Sequence, residues 1–517
     1  MRVSRQDRHI PPPKRSSSSR PDRWLQVGLL LLALAMGFLI HQQGWHRPLV
    51  EFAADPAFAV GALLHRSDLP TLQIDIRFKY YRRLAAQRAD ALQLGALVDP
   101  DGTTCPATLT HADGSAAVTM RLLEGHAEML AGPSWPFAVT VESGDAPFGL
   151  RRFALIPANE TALANWGYLE TLRRAGLPTP RYEFVRLWVN GSSWGAYALE
   201  EVPAGSPARP VVSFDATAYW QAFVRQGELL PGDGFAYASV AVDCGPAPAA
   251  QDALLCRQAL ERARALRAGQ IAPSAAFDVE QMANFLALTA LWQGTALPDW
   301  RTLRLAYDPQ RALFEPLGTA ARPGPAAPLP AALLDDPPLQ AAWARALAAF
   351  GSPDSLARLR DDLAAQTEAL RQALGSDLGR LQLPWAALEA HQTAMRRMVA
   401  PTQPLQARLE ADPTALVLVL SNTQPFPVEV AGLDVEESVY LPLDPAWVEQ
   451  ADRAMLVDGA EGVVLRAAAT VHLRVELTEL PAMAASPQLH VMARLWGFPE
   501  QHIAVAVRYD ELSLQPQ

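Results

Sequence analysis

The stretch NETALANWGYLETLRRAGLPTPRYEFVRLWVNGSSWGAYALEEV, residues 159–202, leaves the chain little conformational freedom. Leu163, Trp166, Leu169 and Leu172 recur at helical spacing and form one apolar stripe. Gly176 stands where a helix C-terminus needs a left-handed residue, and Pro178 prevents the helix from resuming. RYEFVRLWV and AYALEEV then alternate as strands, with Asn190 and Gly191 opening the reversal between them. A helix that must bury a stripe, followed at once by a hairpin that must bury a face, implies an α+β domain.

With 517 residues the chain exceeds one ordinary core, so two or three globular units with connectors are expected. Half of it is apolar (50%), which excludes global disorder. A net charge of −10 without a concentrated basic face excludes a general nucleic-acid binder. Lysine occurs only at Lys14 and Lys79. Cys244 and Cys256 flank a Gly/Pro/Ala-rich loop and either close it as a disulfide or stand as unpaired apolar residues; Cys105 is left over. No Cys/His spacing suggests zinc.

The N-terminus carries Arg2, Arg5, Arg8, Lys14, Arg15, Arg20 and Arg23 ahead of an uncharged run from Trp24 to Ile40. That run is long enough to span a bilayer, and the basic excess places its leading side in the cytoplasm. The expectation is a disordered basic cytoplasmic tail over 1–23, a transmembrane anchor over 24–40 and a linker over 41–68. A cleaved signal peptide is the rival, although its apolar core is usually shorter. Localisation follows as a single-pass protein of a bacterial inner membrane with its bulk in the periplasm.

From Leu69 the pattern turns globular. Leu72, Ile74 and Ile76 alternate as a strand, YYRRLAAQRADALQLG reads as a helix ended by Gly95, and Asp113-Gly114 is placed as a hairpin turn. Two amphipathic helices, LLCRQALERARALRAG and FDVEQMANFLALTALWQG, precede a hairpin in LAYDPQRALFEPLG. Residues 322–340 read as a Pro/Ala-rich loop, and two polar-faced helices follow within a 322–404 helical connector. Beyond residue 404 strands recur at the spacing of an immunoglobulin-like sandwich, so 405–517 is expected to be an all-β domain.

The segment from Phe148 to Val202 resembles the core of the CotH kinase family, atypical protein kinases of the spore coat. The likeness rests on Gly149, Arg151, Arg152 and Phe153; on Gly176, Pro180, Arg181, Tyr182, Phe184 and Val185; and on Asn190, Gly191, Gly195, Tyr197, Glu200 and Glu201. It extends over residues 69–321 and implies a kinase-like α+β domain with a nucleotide pocket. Phosphoryl transfer needs cations on the phosphates and acids on a divalent metal. The resemblance makes Glu200, Glu201, Asp299, Asp308 and Glu315 the catalytic or metal-side candidates. It makes Arg152, Arg181, Asn190 and Arg304 the cofactor-binding ones, with Arg121 a further phosphate candidate.

Four positions depart from the family pattern. Glu124 stands where a basic residue precedes a glycine, Ser134 where a basic residue precedes the tryptophan, Thr302 where an asparagine faces the metal, and Ala320 where an aspartate binds it. The resulting expectation is a pseudokinase without cofactor or metal, catalytically inactive, that binds or scaffolds an envelope protein or polysaccharide. One alternative is an active atypical kinase using ATP with Mg²⁺ or Mn²⁺. Another is a glycan-binding envelope protein in which Trp188, Trp194 or Trp496 stacks on sugar rings.

Overall fold

The computed structural model describes residues 69–98, 101–206, 208–226, 234–245, 250–294, 297–322, 327–378, 382–411, 415–435, 439–458, 460, 462–476 and 489–509. All lie in one of the chain's two units, Arg66–Gln517. The first nine strands are β1 (Thr71–Ile76), β2 (Ala96–Leu97), β3 (Cys105–His111), β4 (Gly114–Leu122), β5 (Gly125–His126), β6 (Phe137–Gly144), β7 (Arg152–Pro157), β8 (Tyr182–Val189) and β9 (Ser192–Glu201). Seven of these close a barrel in the order β1-β3-β4-β6-β7-β9-β8. Every neighbour pair is antiparallel except β1 with β8, which run parallel and seal it. The period-2 pattern of β1 puts Leu72, Ile74 and Ile76 inside with Phe137, Phe153 and Tyr197.

Helix α1 (Phe78–Leu94) adds Leu84 and Ala91 to that core and ends at Gly95, whose φ is +84°. Helix α2 (Glu160–Arg174) joins β7 to β8. Its N-cap Asn159 accepts the Ala162 N–H at 3.0 Å. At its other end the Leu177 and Gly176 amides return to the carbonyls of Leu172 and Arg173, the paired bonds of a Schellman turn. Asn190 and Gly191 both have positive φ, +50° and +78°, as the two-residue hairpin requires. Asn190 also ties the hairpin tip to β1, since its Oδ1 accepts the Ile76 N–H at 2.7 Å.

A four-stranded sheet follows in the order β11-β10-β12-β13, from β10 (Val211–Asp215), β11 (Ser239–Asp243), β12 (Arg304–Asp308) and β13 (Leu313–Leu317). Its helices are α3 (Thr217–Gln226), α4 (Ala250–Arg267) and α5 (Val279–Gln293). Helix α5 is apolar nearly all round, which suits its place at the centre of the larger core. Against it pack α6 (Pro337–Gly351) and α8 (Trp385–Val399), with α7 (Pro353–Leu378) alongside α6.

The expected helix boundaries change here, because α6 begins inside the supposed 322–340 loop. Asp336 caps it by accepting the Leu339 N–H at 3.1 Å, and Pro337 and Pro338 fill the first turn, where no amide partner is lost. The turn expected at Asp113-Gly114 is also displaced. His111 faces Gly114 across the ladder, so Ala112 and Asp113 make the turn. Gly114 leaves room for the Asp145 side chain, since a Cβ there would lie 2.4 Å from Oδ2 of Asp145.

The remaining strands are β14 (Leu405–Ala411), β15 (Ala415–Asn422), β16 (Val428–Val435), β17 (Val439–Pro442), β18 (Val463–Leu465), β19 (Thr470–Glu476), β20 (Leu489–Leu495) and β21 (Ile503–Tyr509). They form one continuous eight-stranded sheet, β17-β16-β20-β21-β14-β15-β19 with β18 on β16. Strand β14 links the two parts of this path by using both edges, antiparallel to β15 and parallel to β21.

The N-terminal calls need correction. Among the described residues no helix is long and apolar enough to cross a membrane, and their fold is α+β. The single-pass, inner-membrane localisation expected from the 24–40 run is therefore carried by no helix among the described residues. The 1–23 tail, the 24–40 anchor and the 41–68 linker lie outside the described residues.

Candidate functional site

Strands β7 and β9 pair with Ala154 opposite Glu200 and Phe153 opposite Glu201. The chain leaving β13 runs against them. Gly318 permits this approach, since a Cβ there would meet Leu172 and Thr179 side chains at 2.8 and 2.9 Å. The next four residues are then fixed one after another. Thr319 Oγ1 donates to the Thr302 carbonyl at 2.9 Å, and the Ala320 N–H donates to Oε1 of Glu200 at 3.1 Å. Asn165 grips both backbone groups of Ala321, at 3.0 and 3.1 Å. Arg322 closes the run with an ion pair to Oε2 of Glu200.

Together these elements enclose a cavity lined by Glu124, Ala154, Glu200, Thr302, Ala320 and Arg322, with further arginines at 121, 301 and 304. Glu124, Thr302 and Ala320, three of the four positions singled out in the sequence, therefore line the same cavity. The fourth, Ser134, faces a neighbouring cavity and donates its hydroxyl to the Trp194 carbonyl at 3.2 Å.

Of the predicted acids, only Glu200 and Glu201 line the main cavity. Glu200 is 4% exposed and its two oxygens are held by Ala320 and Arg322. Glu201 Oε2 accepts the Arg181 N–H at 3.0 Å. Asp299 stands behind, bonded by Arg301 through Nε at 3.0 and 3.1 Å and through a further ion pair. Asp308 lies elsewhere, accepting the Gln310 N–H at 2.9 Å in the β12–β13 turn. Glu315 lies on β13, paired with Arg209 at 2.5 Å.

The predicted cations divide similarly. Arg304 reaches the cavity, but its Nη1 donates to the Arg301 and Leu303 carbonyls, each at 3.0 Å. Burial pushes it below the usual guanidinium value, against the opposing pull of Glu124. Arg152 is paired with Asp243 and donates to the Pro203 carbonyl at 3.1 Å. Arg181 donates to the Phe148 carbonyl at 2.8 Å, and Asn190 serves the hairpin tip. Arg121 lines the cavity.

Sequence reasoning missed Arg322, Arg301 and Asn165. Arg322 sits two residues beyond Ala320, at the start of a stretch whose alanines and prolines read as loop. Trp194, a candidate for sugar stacking, is half-buried, with its ring 5.4 Å from Trp135 and 5.7 Å from Phe137. Trp188 and Trp496 are half-buried as well.

A divalent ion needs several free oxygen ligands. Among the described residues no group of three or more histidine, cysteine, aspartate or glutamate side chains is gathered in a way that could hold one. Of the three carboxylates lining the cavity, Glu200 is already bonded to a guanidinium and a backbone amide and Glu201 to the Arg181 amide, and Thr302 donates its hydroxyl to the Asp299 carbonyl at 3.2 Å. This donor set does not fit a metal-bound triphosphate. No protein-family model matches the sequence, and no curated protein matches it.

Proposed function

We propose that the chain is a CotH-kinase-like pseudoenzyme in which the former nucleotide cleft has become a structural joint, and that it works by binding or scaffolding. The observation that carries this reading is the Glu200 carboxylate, buried and held from both sides by Arg322 and by the amide of Ala320. In kinases a lysine on the third strand of the sheet grips the phosphates and pairs with a glutamate of the next helix. Strands β4, β6 and β7 and helix α2 stand in the same succession here, and the residue of β7 at the cavity is Ala154. Helix α2 supplies Glu170, which pairs within its own helix to Arg173 and to Arg174. Lys79, the one lysine of the chain beyond residue 14, is exposed on α1 and lies 4.7 Å from the centre of the Tyr80 ring.

The retained family residues support the same reading through the structural work they do. Asn190 fastens a hairpin, Arg181 a neighbouring loop, and Gly176 ends a helix. The test is a phosphoryl-transfer assay on the full chain with γ-labelled ATP and Mg²⁺ or Mn²⁺, followed on the protein itself and on Ser/Thr peptides. No label above buffer is expected. Transfer that disappears in Glu200→Gln would overturn the proposal.

A further inference from the structure

Helix α1 opens on the run Arg77-Phe78-Lys79-Tyr80-Tyr81-Arg82-Arg83, four cations and three aromatic rings in seven residues of a chain whose net charge is −10. Helix physics disfavours this placement. The first turn holds no acid and no side-chain cap, so the cations crowd the end where the backbone dipoles already leave positive charge. Lys79 and Arg83 also stand four residues apart, a like-charge pair on one face. Nothing in the described protein offsets them. Arg77, Lys79, Arg82 and Arg83 are all exposed, and among the described residues none of the four makes an ion pair. Phe78 beside them is 73% exposed. Local rules broken without internal compensation are expected where a surface serves a ligand.

The rings and the charges are offered together. Lys79 Nζ lies 4.7 Å from the centre of the Tyr80 ring, the Arg83 guanidinium 5.7 Å from the same ring, and the Arg82 guanidinium 6.0 Å from the centre of Phe78. A cation on a ring face spends none of its N–H donors on an acceptor. The apolar side of α1 is used in the barrel core through Leu84 and Ala91, and the outward face continues as Ala86, Ala89 and Asp90, so it lacks the apolar stripe of a helix that lies in lipid. A nucleic-acid duplex, with a charge for about every 1.7 Å of its axis, asks for a longer basic face. An acidic peptide would leave Phe78 unused. We propose that this face of α1 docks a polysaccharide that carries carboxylates, such as a polyuronate, whose units pair an apolar ring face for Phe78 with a carboxylate for Lys79, Arg82 and Arg83. The inference gives a ligand class to the binding role proposed above and rests on that reading. It shares no residue with the Glu200 cleft, so its failure and the appearance of phosphoryl transfer would be separate results.

Anisotropy titration of a labelled oligogalacturonate with the full chain tests it, beside labelled neutral dextran, labelled oligo-dT and, by co-sedimentation, vesicles of phosphatidylcholine with phosphatidylglycerol. Saturable binding of the oligogalacturonate over dextran is expected, weakening as salt rises because exposed charges are screened. The double variant Lys79→Gln with Arg82→Gln should bind about tenfold more weakly, the scale of two exposed ion pairs. It should melt at an unchanged or slightly higher temperature, since two repelled charges leave the helix end. Phe78→Ala should weaken binding without altering its salt dependence, because no charge is removed. Absence of saturable binding, or equal affinity in the folded double variant, would overturn the proposal. So would tighter binding of oligo-dT or of the vesicles that is lost in the double variant.

Discussion

The backbone amide of Ala320 donates to Oε1 of Glu200 at 3.1 Å, joining positions 120 residues apart in sequence. On the function proposed above, an alanine stands at the position of a metal-binding aspartate, and its amide is bonded to the Glu200 carboxylate. With Arg322 on the other oxygen, the cleft holds its own counter-charges.

Removing Arg322 should therefore cost more than a surface ion pair. In Arg322→Gln the buried Glu200 carboxylate loses the charge opposite it, and about 3 kcal/mol of stability is expected to go with it. Urea unfolding of the variant beside the parent measures this. A loss under about 1 kcal/mol, the range of exposed pairs, would show that the bridge contributes little.

Restoring the acid should not restore a metal site. Ala320 is 1% exposed, and Ala320→Asp places a second carboxylate beside Glu200 in the core. The expected result is destabilisation by at least about 2 kcal/mol, with no recovery on adding Mg²⁺ or Mn²⁺. A melting midpoint that rises with metal only in this variant would show the remaining ligands to be in place.

Acid should destabilise the fold in part through Asp243 at the end of β11 and Asp278 at the start of α5. Burial alone would raise the carboxyls of Asp243 and Asp278, but facing groups outweigh it and hold both below the usual range. For Asp243 these are the Gly245 amide at 2.9 Å and Arg152; for Asp278 they are Arg311 and the Gln281 amide at 3.2 Å. A carboxyl depressed by folding contributes stability that is complete above its unfolded value, about 3.9 for aspartate, and is lost as pH falls through the folded one. Unfolding free energies followed downward from about pH 6 should fall below about pH 4. The slope should be shallower in Asp278→Asn; an identical slope would contradict the assignment.

Cys244 and Cys256 are joined across a sequence separation of 12, fastening β11 to α4, and Cys105 is free and buried. A loop of this size predicts a loss of about 3 kcal/mol for Cys256→Ser through a freer unfolded chain. Thiol titration of the denatured, unreduced protein should find one thiol per chain. Three would contradict the bond.

Local geometry was legible in the sequence and long-range closure was not. Helix α2 with its Gly176 stop, the Asn190-Gly191 reversal and strand β1 each follow from spacing, capping and turn chemistry within a few residues. Barrel closure depends on Leu72 meeting Leu187 in a parallel pair, which no local pattern announces. Helix α6 was hidden because Pro337-Pro338 reads as loop unless Asp336 is recognised as the cap. At the site, the alanine at position 320 was visible, but the arginine that completes its effect was not. The Glu200 pairing with Arg322 spans 122 residues and is set by a glycine whose need for close approach appears only in three dimensions.

On the function proposed above, the cleft is closed by its own charges. A thermal-shift titration of the full chain with ATP and Mg²⁺ or Mn²⁺, beside Glu200→Gln, tests it most directly. A ligand at a hundredfold excess over its Kd would add about 2.7 kcal/mol, enough to raise the midpoint visibly. The account predicts no metal-dependent shift in either protein. A shift in the parent that requires the metal and vanishes in Glu200→Gln would mean that Glu200 leaves Arg322 to serve a nucleotide, and would contradict it.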